Sequence, residues 1–392
     1  MPKDQVALVV MTGLSESSDV EGMMAGALIA ATLDTIEKAR AAENISPIIV
    51  STNSDRLIES LRDWPAIVEQ DPPEGKFHFG FRLREIINSH RLEKVIYMGG
   101  GSGILLSAEQ MRRIADETLK ADSLLITNNF YSTDFCAFTP ASHINEIHPP
   151  PYDNDLGWRM GQKNGLPNVS LPRSAATQLD IDTPVDLMVL TYCPDLSLHL
   201  RQYLNQLHLD TSHIGRSMKF FVNRSSEVAL AGRISSSTLA YLEQEAACRV
   251  RVFSEERGMR ASGRQDRGEV RSLLGYYYQK VGPRRFFATM GEMAQALFFD
   301  NRPLWVHCGV WPGASDRFYS DLRQPEKVKD DFLRTFTEAA LESPIPVIMG
   351  GHSLVSGDMY VIVERAWAIS GVDVPRWVNH TFWGEFPQKR VS

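Results

Sequence analysis

The stretch QLDIDTPVDLMVL (residues 178–190) sets two acids, Asp180 and Asp182, just ahead of a helix start and a third, Asp186, inside it. Thr183 supplies the side-chain oxygen that an N-cap requires. Pro184 suits the first turn, where a missing N–H leaves no bond unmade. The run that follows, DTPVDLMVLTYCPDLSLHLRQYLNQLHLD, reads as helical throughout and as the closing element of a first domain, residues 1–210.

Upstream, residues 1–130 alternate strand and helix. QVALVVMTG is a continuous apolar run of the kind presented by a strand buried on both faces. Ser18 and Glu21 predict a capping box ahead of a helix whose stripe includes Met24, Ala27, Leu28 and Ala31. SPIIVSTN, AIVEQD, EKVIYMGGG and DSLLITNNF read as further strands, with helices at SDRLIESLRDW, at FGFRLREIINSH and after a second capping box, Ser107 with Gln110. Such alternation implies βαβ units and a mostly parallel sheet. The rhythm then breaks. CAFTPASHINEI is strand-like, and a Pro-, Gly- and Asn-rich run after it reads as a long loop with one short helix, DLGWRMGQ. TSHIGRS is the expected linker to a second α/β domain, residues 216–392. There SEVALAGRI, CRVRVFSEE, PLWVHCGV and IPVIMGGHSLVSGDMYVIVE read as strands, with helices at STLAYLEQEAA and 326–342. The predicted fold class is therefore α/β.

Bulk composition narrows the function. The 392 residues are 43% hydrophobic and 23% charged, an ordinary globular balance with length for two domains at ~150 residues each. A net charge of −7 argues against nucleic acid as a partner, which calls for a basic face. The longest apolar run, MMAGALIAATL, is about half of a membrane span. The four cysteines are scattered without C-x-x-C spacing, so neither a disulfide framework nor a zinc site is expected, and a reducing, cytoplasmic setting is. The aromatic-rich RWVNHTFWGEF near the carboxyl terminus is expected to pack against a domain or a second subunit, which would make a homo-oligomer.

The opening stretch resembles the (N/D)IDTPEDL element that closes the catalytic domain of several nucleotidyltransferases, the sugar-nucleotide and molybdenum-cofactor types among them. The order of elements over residues 5–192 is similar to theirs as well. The resemblance implies a nucleotide-diphospho-sugar-transferase-like Rossmann variant, related to the glycosyltransferase-A fold. It also implies transfer of a nucleotidyl group from an NTP to a small phosphorylated acceptor, with Mg²⁺ as cofactor. Carried over residue by residue, Asp182 matches the acid before Thr-Pro and would bear on the metal. Asp180, two positions earlier, would act with it, and Asp186 matches the second acid. Gly99, Gly100, Gly101, Ser102 and Gly103, between a strand and a helix, would meet the substrate phosphate or base.

The chain departs from the family pattern at two places. Its loop after the first strand, VVMTGLSESSDVEGMM, has no Lys or Arg where the family has a basic, Gly-rich loop. MGGGSGILLS has no carboxylate where the family has a metal-binding Asp. Backbone N–H groups of that loop would suit a phosphate, with the following helix dipole adding to the field, while the same glycines would also serve a bare tight turn. Two readings follow from this half: a nucleotidyltransferase, or a non-catalytic nucleotide-binding or assembly scaffold.

The second half offers its own candidates. His307, Cys308, Asp316, Arg317 and His352 would line a hydrolase-like site, although Arg317 lies nine positions beyond Cys308, too far for one tight loop to bring both to a phosphate. MGGHSLVSGDM reads either as a pocket edge or as a glycine turn in a hairpin. Arg257, Arg260, Arg264, Arg267 and Arg271 would form a basic stripe on a helix, but the interleaved glycines and acids favour a solvated loop.

Overall fold

The computed structural model describes residues 5–72 and 77–371, and two sheets form within them. The first contains β1 (Val6–Thr12), β2 (Ile45–Thr52), β3 (Ile67–Gln70), β4 (Val95–Gly99), β5 (Leu124–Thr127), β6 (Phe135–Thr139) and β7 (Asn168–Ser170). Its order is β3-β2-β1-β4-β6-β5-β7. β6 runs against β4 and β5, and the other pairs are parallel. β1 shows why. All seven of its residues are buried. Val6, Leu8 and Val10 enter one core with Ile29 and Ile36 of the helix Asp19–Ala41, while Ala7, Val9 and Met11 enter another with Phe79 and Leu83. A period of two divides a continuous apolar strand between layers on either side.

The second sheet contains β8 (Glu227–Gly232), β9 (Arg249–Ser254), β10 (Ala296–Asp300) and β11 (Val347–Gly350), ordered β11-β10-β8-β9 and parallel throughout. Val228, Leu230 and Phe298 face one core, and Ala229, Ala231, Leu297 and Phe299 the other. The helix Pro184–Leu190 is buried at all seven residues. It lies in a core that takes in Met24 and Ala27 on one side and Val228, Phe298 and Ile348 on the other. The stretch 178–190 is thus the wedge between the sheets. No helix among the described residues is long and apolar enough to cross a membrane.

Several local expectations are corrected. The long helical run after Asp182 breaks at TYCPDLS into Pro184–Leu190 and Leu198–Gln206, because Pro194 disfavours helix before it and Asp34 caps the first N–H groups of the new one. TSHIGRS is no linker but most of the helix Ser212–Phe221, with His213, Ile214, Met218 and Phe221 buried against the second sheet. CAFTPASHINEI stays extended only to Thr139. PLWVHCGV is the helix Arg302–His307, opened by Pro303, and the strand is the preceding ALFFD. So short an apolar run has no period to separate the two states. In IPVIMGGHSLVSGDMYVIVE only Val347–Gly350 is strand, and the rest turns into the helix Gly357–Ser370. Met359 to Val363 are all buried there, and a helix covered nearly all round loses its stripe. The helix expected at 326–342 is a turn followed by Asp331–Leu341. Residues 257–268 form successive turns. RWVNHTFWGEF lies outside the described residues.

Candidate functional site

Both sheets direct the carboxyl ends of their parallel strands toward one cleft of about 540 Å³. This is the edge at which open α/β sheets bind ligands. One wall is acidic, with Asp134, Asp153, Asp180 and Asp182, and the facing wall carries Arg233, Arg257, Arg260 and His352.

Asp134 precedes β6. Because β6 is reversed, its start lies beside the end of β4. There the Asp134 carbonyl accepts from Gly99 N (3.1 Å) and Ser102 Oγ (3.1 Å), while its carboxyl accepts from Asn128 Nδ2 (2.8 Å) and Asn154 Nδ2 (3.2 Å). Asp153 accepts from the Tyr97 hydroxyl (3.0 Å) and from Asn154 N (2.9 Å). Asp180 is tied across the cleft by its main chain. Its N–H donates to Ser353 Oγ (3.2 Å), and its carbonyl accepts from the same hydroxyl (2.7 Å). Asp182 is exposed to the cleft.

Burial and mutual repulsion push these acids upward. Burial raises Asp134 to about 8, with the Asp153 charge adding to it. Asp153 rises to about 6 by burial, restrained by the Tyr97 hydroxyl. Burial, then Asp182, Asp134 and Asp153, hold Asp180 well above the carboxylate range. Desolvation within the cleft also raises Asp182, with Arg233, Arg260 and Arg302 pulling the other way. Acids so placed are discharged by protons or by a bound cation.

The basic wall is built from the second sheet. Gly232, at φ +115°, lets the chain pass close to Asp300. Asp300 then grips Arg233 through Nε (2.6 Å), Nη2 (3.0 Å) and the main-chain N–H (3.1 Å). Burial opposes the Asp300 charge, but the Arg233 guanidinium outweighs it and the pKa falls. Behind it Arg302 makes a two-pronged pair with Asp321 (2.7 and 2.5 Å) and donates to Gly350 O (3.0 Å). Burial and the neighbouring Arg233 lower His352 to about 4, so this imidazole is neutral at pH 7.

Of the sequence-derived candidates, Asp180, Asp182 and His352 meet at the cleft. Asp186 points away from it. Its Oδ2 accepts from Asp182 N, Thr183 N and Thr183 Oγ1, so it caps the helix that Thr183 opens. The Gly99–Gly103 loop turns inward rather than onto the cleft wall, with Gly100 against Thr12 and Gly101 against Asp180 and Ile181. Ser102 Oγ is spent on the Gly99 and Asp134 carbonyls. His307, Cys308, Asp316 and Arg317 do not line the cleft, and each serves a local structure. His307 Nδ1 accepts from Ser272 N (3.2 Å), and burial raises the Cys308 thiol within an aromatic core. Asp316 accepts from Lys329 N and Asp330 N, and Arg317 lies over the Trp311 ring. Asp34, Glu37 and His199 come within ligand reach of one another, but both Asp34 oxygens accept N–H groups of His199 and Leu200 and cap that helix (2.9 Å each). Sequence reasoning missed Asp134, Asp153 and Arg233. No sequence signal marks them, because Asp134 comes beside the carboxylate-free MGGGSG turn only through the pairing of β6 with β4.

No family model matches the chain, and neither does any curated protein. Solved structures do match over about half of it. It is similar to a cytidylyltransferase from Leptospira borgpetersenii serovar Hardjo-bovis at 16% identity, covering 51% of this chain and 92% of that one, with a TM-score of 0.39. A putative nucleotide-diphospho-sugar transferase from Desulfovibrio desulfuricans G20 is 13% identical over 52% of this chain and 95% of its own, with a TM-score of 0.38. A CMP:2-keto-3-deoxy-manno-octonic acid synthetase complexed with CTP is 11% identical over 47% and 95%, with a TM-score of 0.35. Cytidylyltransferase and nucleotide-diphospho-sugar transferase folds thus recur among the structures this chain is similar to.

Proposed function

We propose that the cleft is a nucleotidyltransferase active site in which an anionic acceptor attacks the α-phosphate of an NTP and releases pyrophosphate. In this reading residues 1–210 form the nucleotide domain and residues 216–392 complete the site from the other side. The observation that carries it is the clustering of four acids from three separate segments on one wall of a cleft whose other wall is cationic. The donor set suits Mg²⁺, a hard cation that takes one or two carboxylates and keeps waters or phosphate oxygens for the rest. Asp182, open to the cleft, and Asp180 would hold the ion, with Asp134 and Asp153 completing the acidic wall. Bound there, it would neutralise charge building on the phosphates. The chain's own part is to fix the acids by main-chain and Asn contacts and to set guanidinium groups opposite. The Asp134 carboxylate stands where β4 itself ends without an acid.

The test is pyrophosphate release from each of the four NTPs, with Mg²⁺ or with EDTA, against a panel of phosphorylated acceptors. Mg²⁺-dependent release that falls at least about a hundredfold in Asp182→Ala is expected. No release with any pairing would overturn transfer. The scaffold reading is favoured by one observation, the loop after β1 (residues 13–18), which holds Ser and Glu but no Lys or Arg. It predicts Mg²⁺-dependent NTP binding without turnover.

A further inference from the structure

The five arginines of residues 257–271 divide into two groups. Arg264 pairs with Glu256 through two hydrogen bonds (3.0 and 2.7 Å), and Arg267 pairs with Glu269 likewise (3.0 and 2.8 Å). Arg271 is satisfied by the carbonyls of Gly268 and Val270. Arg257 and Arg260 make no ion pair among the described residues, and they are the two that line the cleft. Met259 between them is fully buried and, together with the Arg264–Glu256 pair, pins the turn that presents them. The Arg260 guanidinium lies over the ring of Tyr152, which belongs to the opposite wall (5.2 Å). Arg173 brings another guanidinium toward Arg257, and burial together with that like charge lowers the Arg257 pKa. Arg233 spends Nε and Nη2 on Asp300 and leaves Nη1 without a partner among the described residues.

Like charges gathered on a pinned turn, with ion pairs made behind them and none made in front, leave donors for an anion that the protein itself does not supply. We propose that the end of β9 and the turn after it form an anion-binding half-site, in which Arg257 and Arg260, with Nη1 of Arg233, take a phosphate group of the ligand that crosses the cleft. This deepens the reading given above and rests on it only for the ligand's identity. The phosphate belongs either to the nucleotide or to the acceptor, and both offer the same oxygens to a guanidinium fork.

The test is calorimetric titration of the full chain at low ionic strength in EDTA, with inorganic phosphate, pyrophosphate and CTP as separate probes. Pyrophosphate is expected to bind at one site and to weaken about tenfold in Arg257→Ala and in Arg260→Ala, with a larger loss in the double variant and part of it recovered in Arg257→Lys. Arg249→Ala, which removes the same charge at the far end of β9, should bind as the parent does. If CTP weakens in parallel, the arginines hold the nucleotide's phosphates. If phosphate weakens while CTP does not, and phosphate still binds beside CTP, they hold the acceptor's. A parent protein that binds neither phosphate nor pyrophosphate at millimolar concentration overturns the half-site, as does a double variant that binds both unchanged. Because no metal and no turnover enter these titrations, pyrophosphate binding without pyrophosphate release would sink the transferase reading alone.

Discussion

At His213 the fold encloses an imidazole with only 2% of its surface exposed and, among the described residues, no hydrogen-bond partner for either ring nitrogen. Burial, with Arg323 nearby, lowers its pKa from 6.5 to about 4. The unfolded chain therefore takes up a proton below about pH 6.5 that the folded chain refuses until about pH 4, and stability must fall across that window. The loss at its acid end is about 3 kcal/mol for this one group. Urea midpoints measured at pH 7 and pH 5 should separate in the parent and draw together in His213→Leu, and an unchanged separation would refute the assignment. Asp182 and Asp180 were legible as residues because Thr-Pro marks a helix start and so locates the acids before it. Asp134, Asp153 and Arg233 carry no such mark. They are ordinary polar residues whose importance comes from what lies across space.

Among the elements, the turn after β4 answers to its neighbours. A Cβ on Gly101 would lie 2.7 Å from Asp180 Oδ1 and 3.0 Å from the main chain of Ile181, and Gly101 O already accepts from Ile181 N (3.2 Å). Gly103 adopts φ +63°, which lets the chain reverse toward its helix. Gly101→Ala should cost about 1–3 kcal/mol and displace Asp180, whereas Gly13→Ala, with no described atom within 4 Å of the added one, should cost far less. Denaturation midpoints of the two variants check this, and equal losses would contradict it. Elements with clear signals read well from sequence: β1 by its unbroken apolar run, the helix after Ser107 by a capping box that forms in full. MYVIVE reads poorly because burial on nearly every side erases the period that separates helix from strand, and PLWVHC because so short a run holds no period.

On the scale of the molecule, the two sheets share a core. The helix Pro184–Leu190 is buried between them, Ser353 clasps Asp180 at both N–H and carbonyl, and the start of the helix Gly357–Ser370 lies directly against the main chain of Gln178 and Leu179. Neither sheet can unfold without exposing apolar surface of the other. Unfolding is therefore expected as one cooperative transition, with tryptophan fluorescence and far-ultraviolet circular dichroism giving the same midpoint. Two resolved transitions would show that the sheets are independent.

The sequence by itself determined the α/β alternation, the mostly parallel character of the amino-terminal sheet and the acids ahead of Thr183, because each rests on local chemistry: apolar period, cap and first-turn proline. It also located a turn at MGGGSG but not its purpose. Only the tertiary structure decided that this turn packs inward, that Asp134 from the reversed strand stands beside it, and that Arg233, Arg257 and Arg260 face those acids from the other sheet. Carboxylates and guanidinium groups far apart in the chain acquire a common field only when burial brings them to one cleft, and no local pattern records that distance.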